Sequence, residues 1–259
     1  TALLYLMRDT PLWAIATVVT VVVVGYAVGL MLLTRYRYGA DRLKLNNEVA
    51  GFKYAVVGVL YAVLLAFVVI AVWEDYSATE DSVRDEAKAA IDLYHVSLAL
   101  PDKGSNIQDA IRKSTKSVYD NSWDSMALGG RSEVVRRDLR ALNAALLALN
   151  PSSPKEQVLF QHTIELLTLI ADSRNERLES ANGSVPGVLW FVLLVGGMVT
   201  LGYPAFFASS NLCAQILMTG SLAALLALTL FLGLAFDVPF TGDPHISKEP
   251  FADALLQMN

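Results

Sequence analysis

Apolar residues are concentrated in four long stretches of the chain, and charged residues fill the block between the second and the third. Each stretch is long enough to cross a hydrocarbon layer of about 30 Å as a helix. The pattern therefore predicts four transmembrane helices, at residues 11–33, 52–73, 188–210 and 212–236.

The charged block, residues 74–182, has apolar residues at three- and four-residue spacing, which is typical of amphipathic helices. Clusters of Pro and Gly divide it into four helices, expected at residues 74–100, 105–128, 132–149 and 155–181. No Pro or Gly occurs between Val59 and Leu100. We therefore expect the second span and the first of these helices to form one continuous helix.

The predicted fold class is all-α: an integral membrane protein with four transmembrane helices and a helical-bundle insert between the second and the third. We divide the chain into four parts. They are a first transmembrane pair (residues 1–73), a hydrophilic four-helix domain (74–187), a second transmembrane pair (188–236) and a C-terminal tail (237–259).

Composition supports a membrane location and excludes some classes of partner. Of the 259 residues, 54% are hydrophobic and 17% are charged, against about 25% charged in a typical soluble domain. The formal net charge of −5 argues against a nucleic-acid partner. Cys213 is the only cysteine, so no intrachain disulfide can form, and its apolar surroundings favour a packing role.

The loop between the first two spans predicts the orientation of the protein. Residues 34–53 carry five Lys and Arg against Asp41 and Glu48, and short basic loops stay in the cytoplasm. We therefore expect the helical domain and both termini on the extracytoplasmic side of the cell's inner (plasma) membrane.

Small residues recur on one face of the second span, and two glycines lie four residues apart in the first span. Such faces let helix backbones pack closely in lipid. For the second span two interpretations stay open: tight packing against another segment, or a face that lines a pore in an oligomer. The helix-packing candidates are Ala55, Gly58, Ala62 and Ala66 in the second span, and Gly25 and Gly29 in the first.

Polar side chains also share one face of the fourth span. Asn211, Gln215 and Thr219 lie four residues apart. Polar groups in a span usually form hydrogen bonds across the bundle, and the alternative is that these three line a hydrated path.

Catalytic signatures are absent from the sequence, which has no HExxH, CxxC, Walker, GxSxG or dinucleotide-binding motif. We therefore predict a protein that is not an enzyme and has no cofactor. The weak candidates for a metal site are Glu86, His95 and His162, with surface histidines as the simpler interpretation. The acidic run from Glu74 to Glu86 indicates either a solvated face or a mouth that attracts cations.

Five segments of the chain carry a family resemblance. They are NNEVAGFKYAVVGVLYAVLLAFVVIAVWEDY (46–76), DEA (85–87), DLYHVSLALP (92–101), DVPFTG (237–242) and HISKEPFADAL (245–255). On these segments the chain resembles the bestrophin-like family of bacterial membrane proteins. The resemblance implies four spans with a helical insert after the second. More distantly, it implies a relation to bestrophins, oligomeric anion channels whose second span lines the pore.

The C-terminal tail shows both likeness and difference. Bestrophins carry an acidic segment containing PFG near a Ca²⁺ clasp, and Asp237, Pro239, Phe240, Gly242 and Asp243 are similar to it. This chain departs from bestrophins because no run of acidic residues follows Gly242. Its charge pattern also places the helical domain outside the cytoplasm, where bestrophins keep theirs.

Two functional hypotheses follow. The leading one is an oligomeric channel for small ions, with a hydrophobic constriction on the second span. Its pore-lining candidates are Tyr61, Leu64, Phe67, Val68 and Ala71. The alternative is a four-span sensor or assembly module whose helical bundle binds a ligand or a partner protein. The expected partners are the lipid bilayer, further copies of the chain and, for the alternative, a partner membrane protein.

Overall fold

The computed structural model describes residues 10–100, 104–242 and 244–258. Asp243 lies outside the described residues. The helices are α1 (Leu12–Tyr38), α2 (Ala40–Lys44), α3 (Asn47–Leu98), α4 (Gly104–Met126), α5 (Glu133–Leu147), α6 (Pro154–Ser180), α7 (Gly187–Gly202), α8 (Leu212–Asp237) and α9 (Glu249–Gln257). No strand occurs in these ranges, so the all-α prediction is confirmed. By length and composition, α1, α3, α8 and the segment Gly187–Phe206 are suited to cross a membrane.

The chain divides into two compact units. The span unit contains residues 10–74 and Ser184–Asp237, and the bundle unit contains Asp75–Gly183 with the segment that follows Asp237. The C-terminal tail, which the sequence analysis treated as a separate part, is thus grouped with the helical insert.

The predicted continuous helix is confirmed, because α3 runs unbroken for 52 residues. Its sequence explains this length: no helix-breaking residue interrupts it after Gly58. It ends just before Pro101, and the residue before a proline is disfavoured in helical conformation.

In the span unit, α1 packs against α8 through small residues. Ala27 and Ala223 are completely buried, and a Cβ at Gly220 would lie 3.7 Å from a methyl of Val24. Cys213 is exposed, so a packing partner for it would have to be lipid or another chain.

The third span is shorter than the sequence indicated. The α-helix α7 ends at Gly202 and a 3-10 turn, Tyr203–Phe206, follows it, although we expected helix to residue 210. Pro204 explains the difference, because proline has no backbone N–H and its ring clashes with the preceding turn.

The bundle unit has one apolar core to which α3, α4, α5, α6 and α9 all contribute. Its helix starts follow the capping rules. The Ser132 hydroxyl accepts a hydrogen bond from the Val135 N–H at 3.4 Å at the start of α5. Ser153 and Glu156 form a reciprocal capping box at the start of α6.

Candidate functional site

One face of α3 packs inside the span unit. Tyr61, Leu65, Val68 and Val72 are buried and form a cluster with Leu193 of α7. Their spacing of four, three and four residues places them on one side of the helix.

Tyr61 fixes the contact between α3 and α7. Its hydroxyl donates a 3.0 Å hydrogen bond to the backbone oxygen of Leu193. A Cβ at Gly196 would lie 2.9 Å from ring carbon Cδ2 of Tyr61, and a Cβ at Gly197 would lie 2.9 Å from its hydroxyl oxygen. The two glycines are therefore needed for the close approach of the tyrosine.

The pore-lining candidates fall on different sides of α3. Tyr61 and Val68 belong to the packed face, and Leu64 is half-buried beside it. Phe67 is 68% exposed, and Ala71, one turn later, is also exposed. Only Phe67 and Ala71 are thus largely free of contacts within the described chain.

The six helix-packing candidates have no close partner in the described part of the chain. A Cβ added at Gly25, Gly29 or Gly58 would meet nothing within 4 Å. Ala55, Ala62 and Ala66 are exposed. A partner for these faces would have to be lipid or another chain.

A larger apolar surface of α3 is also uncovered. It consists of exposed side chains along the first half of the helix: Phe52, Val56, Val59, Leu60, Val63, Phe67 and Ile70. Apolar surface of this extent is covered by lipid or by another subunit in a stable protein.

A buried carboxylate holds the start of α7 to the end of α8. Asp237 accepts hydrogen bonds from the backbone N–H groups of Ser184 and Val185, both at 2.9 Å. The indole N–H of Trp190 donates to its other oxygen at 3.0 Å. The sequence did not predict this role of Asp237. The available signal was a single Asp at the end of an apolar span, directly before Val-Pro.

Gln215 forms the polar contacts expected for the fourth span. It accepts a 2.7 Å hydrogen bond from the Arg35 guanidinium and donates to the Phe207 oxygen at 2.8 Å. Gln215 and Thr219 are buried. The expectation of hydrogen bonds between the spans is therefore confirmed for Gln215.

The C-terminal segment that carries the family resemblance packs into the apolar core of the bundle unit. Phe240, Ile246 and Phe251 are buried in the core, and the Trp123 indole N–H donates a 2.7 Å hydrogen bond to the Ile246 oxygen. The Trp123 ring meets Phe240 and Phe251 edge to face, with centroids 6.1 and 5.7 Å away. Thr241 donates to the Ala127 oxygen at 3.3 Å. The sequence showed this ending but not what it contacts.

An ion pair lies in the middle of the bundle core. Arg177 donates to both carboxylate oxygens of Glu86, at 2.7 and 3.0 Å, and both side chains are almost completely buried. The guanidinium carbon lies 5.3 Å from the centre of the Trp123 ring and 5.7 Å from that of Phe251. The pair thus joins α3, α6, α4 and the tail.

The weak metal candidates do not come together in a site. Glu86 is occupied by Arg177, and His162 is exposed beside Glu165. Among the described residues, no three His, Cys, Asp or Glu side chains lie close enough to hold a metal ion. Part of the acidic run is paired as well, because Arg84 forms ion pairs with Glu80 and Asp81.

Comparisons with known proteins agree with this architecture. A family model described as a bestrophin-like domain matches residues 21–251. No curated protein sequence matches the chain significantly.

Solved structures share the fold at low sequence identity. A bacterial bestrophin homologue from Klebsiella pneumoniae, carrying one substitution, has a TM-score of 0.71 at 13% identity and covers 92% of this chain and 98% of its own. A zinc-phased structure of the Klebsiella pneumoniae homologue has a TM-score of 0.66 at 14% identity, with 92% and 97% covered. A further crystal structure, described as a membrane protein with one substitution, has a TM-score of 0.70 at 12% identity and covers 92% and 97%.

Proposed function

Because the chain belongs to the bestrophin-like family, we propose that it is an oligomeric membrane channel for small ions with α3 at its pore. The observation that carries the proposal is the uncovered apolar surface of α3, in a fold that matches a bestrophin homologue over 92% of this chain. A pore built from several copies would use a helix face that the single chain leaves free.

The proposed constriction is formed by Phe67 and Ala71, with Leu64 at its edge. The first two are exposed and lie one turn apart, so they share a face. A ring of apolar side chains gates ions by excluding water. Tyr61 and Val68 act indirectly in this proposal, because they hold α3 against the third span.

Planar-bilayer recordings of the purified protein test the proposal. We expect Phe67→Ser to raise the open-channel conductance several-fold, because a hydroxyl at a hydrophobic constriction lowers the barrier to water and ions. The control is Leu225→Ser on α8, a residue that is 65% exposed and that the proposal assigns to lipid. We expect its conductance to equal that of the unaltered protein.

Two results would contradict the channel. One is the absence of conductance in both variants and in the unaltered protein. The other is a stoichiometric partner protein recovered from cells without any conductance, which is the outcome that a sensor or assembly module predicts.

We also propose that the bundle unit is extracytoplasmic and that the membrane is a bacterial inner membrane. Support comes from the basic loop of residues 34–53, which the positive-inside rule assigns to the cytoplasm. In a Cys213→Ser background, a membrane-impermeant thiol reagent added to intact cells should label Asp109→Cys on α4 and leave Asp41→Cys unlabelled. The reverse pattern would place the bundle unit in the cytoplasm.

A further inference from the structure

A groove of about 300 Å³ lies between α5 and α6 in the bundle unit. On α5 the lining residues are Arg136, Leu139, Arg140 and Asn143, and on α6 they are Leu167, Ile170, Ala171, Arg174 and Asn175. Both sets follow helical spacing, so each belongs to one helix face. The volume is at the lower end of the range for small-molecule sites.

The groove has an apolar part and a cationic part. The apolar surface comes from Leu139, Leu167, Ile170 and Ala171. The three arginines supply positive charge and hydrogen-bond donors, and the two asparagines supply amide groups. No carboxylate is among the lining residues in the described part of the chain.

The positive charge of the groove is not balanced within the described residues. Arg136 pairs with Glu133 one turn earlier, but Arg140 and Arg174 have no ion pair there. Glu86, whose negative charge raises the pKa of the Arg174 guanidinium, already accepts hydrogen bonds from Arg177 through both oxygens.

Arg174 shows the imbalance most clearly. Its Nε is buried and, among the described residues, has no hydrogen-bond partner. Burial lowers the pKa of its guanidinium from the ordinary value; Glu86 opposes this, whereas the positive charges of Arg177, Arg131 and Arg136 add to it. A buried donor without a partner carries a free-energy cost, and this one belongs to a guanidinium that lines the groove.

We propose that this groove binds a small organic anion in which a carboxylate or phosphate group is attached to an apolar body. The anionic group accepts hydrogen bonds from Arg174 and Arg140, since guanidinium forks match the oxygens of both acids. The apolar body lies on Leu167, Ile170 and Ala171. This site is separate from the proposed pore and does not depend on ion conduction.

Isothermal titration calorimetry of the full chain in lipid nanodiscs tests the site. The probes are hexanoate and hexyl phosphate, with acetate, inorganic phosphate and 1-hexanol as comparisons. We expect hexanoate and hexyl phosphate to bind, their affinity to fall with added salt, and each comparison probe to bind at least about tenfold more weakly. The tighter binder of the two shows whether the site prefers a carboxylate or a phosphate group.

Three variants locate the binding. Arg174→Gln should weaken binding about tenfold or more, because it removes a charged hydrogen bond. Its thermal midpoint should be unchanged or higher, since no hydrogen-bond partner of Nε is lost. Ala171→Phe should abolish binding by filling the groove. The control, Arg84→Gln, removes the same charge from an exposed pair elsewhere in the bundle unit and should bind normally.

The proposal is overturned by any of four outcomes. Acetate could bind as tightly as hexanoate, or inorganic phosphate as tightly as hexyl phosphate, which would show that the apolar part of the groove does not contribute to binding. Hexanol could bind as tightly as the anions, which would exclude charge recognition. Alternatively, binding could be absent at millimolar concentrations or equally affected by Arg84→Gln.

Discussion

At the scale of single residues, the ion pair between Glu86 and Arg177 is the most deeply buried charged contact among the described residues. Both groups are removed from water, so loss of one partner leaves the other charge buried and unpaired. We expect Arg177→Met to lower the free energy of unfolding of the bundle unit by about 3–5 kcal/mol, as measured by native-state hydrogen exchange.

Two further variants separate the free-energy cost of an unpaired buried charge from the net contribution of the ion pair to stability. Adding Glu86→Leu to Arg177→Met should recover most of the loss, because no buried charge then remains. Arg84→Met, which breaks exposed pairs only, should change the unfolding free energy by no more than about 1 kcal/mol. An equal loss in Arg177→Met and Arg84→Met would contradict the buried pair.

The contact of Tyr61 with the third span gives a second prediction for single residues. Gly197→Ala places a methyl 2.9 Å from the tyrosine hydroxyl oxygen, and overpacking of this kind costs about 1–3 kcal/mol. We expect a lower thermal midpoint of the solubilised protein. Tyr61→Phe should restore part of it, because it removes the oxygen that the methyl meets.

Gly196→Ala is the matched control for this rescue. Its methyl would meet the tyrosine ring at Cδ2 and Cε2, atoms that phenylalanine retains. Tyr61→Phe should therefore not rescue Gly196→Ala. Rescue of both variants, or of neither, would show that the close contact is absent.

At the scale of helices, α5 is joined to α4 by a charge cluster around the buried Asp138. Burial by itself raises the pKa of this carboxyl, but side-chain hydrogen bonding and the charges of Lys113 and Arg137 together outweigh burial and hold the pKa below its ordinary value. The Lys113 nitrogen lies 3.6 Å from Asp138.

A lowered pKa gives a definite sign of pH dependence. The stabilisation from Asp138 is fully present above the unfolded-state pKa of about 3.9 and is lost as the pH falls through the lower folded-state value. We expect Asp138→Asn to flatten the acid side of the stability curve measured by thermal unfolding, whereas Glu133→Gln, at an exposed position, leaves that slope unchanged. An unchanged slope in Asp138→Asn would contradict the role of the cluster.

Helix α9 makes the tail part of the bundle core, which gives another prediction for helices. Phe251 is buried, and Leu256, on the same helix, is 72% exposed. We expect Phe251→Ala to lower the unfolding free energy of the bundle unit by about 3–5 kcal/mol and to expose the tail to protease. Leu256→Ala should do neither, and equal protease sensitivity in the two variants would exclude the docked tail.

The helices could be predicted from the sequence because their signals are local. Apolar length, three- and four-residue spacing, and the breakers near Gly129 and Pro154 are all visible along the chain. The contacts of the tail, the carboxylate site of Asp237 and the side of α3 that packs on α7 join residues distant in sequence. Spacing alone does not specify such contacts, which is why Tyr61 and Val68 were grouped with Phe67 in the sequence analysis.

At the scale of the whole molecule, α1 and α3 have faces that the described part of the chain leaves uncovered. Gly25, Gly29 and Gly58 have open space beside them in the described chain, and Phe67 is exposed. Two surfaces of α3 must therefore meet lipid, water or other copies of the chain. The proposed closed ring of copies would satisfy them, with one face at the axis and another at the subunit boundary.

Single cysteines in a Cys213→Ser background distinguish these environments. In a ring with α3 at its axis, Ala71→Cys faces water, so a water-soluble thiol reagent should label it and reduce the conductance. Leu225→Cys on α8 should stay unlabelled, because thiolate formation and reagent access are both suppressed in lipid. The subunit count of detergent-solubilised particles gives the independent check. Labelling of both cysteines, or particles that contain one chain only, would contradict the ring, since a pore on α3 requires several copies of that helix around one axis.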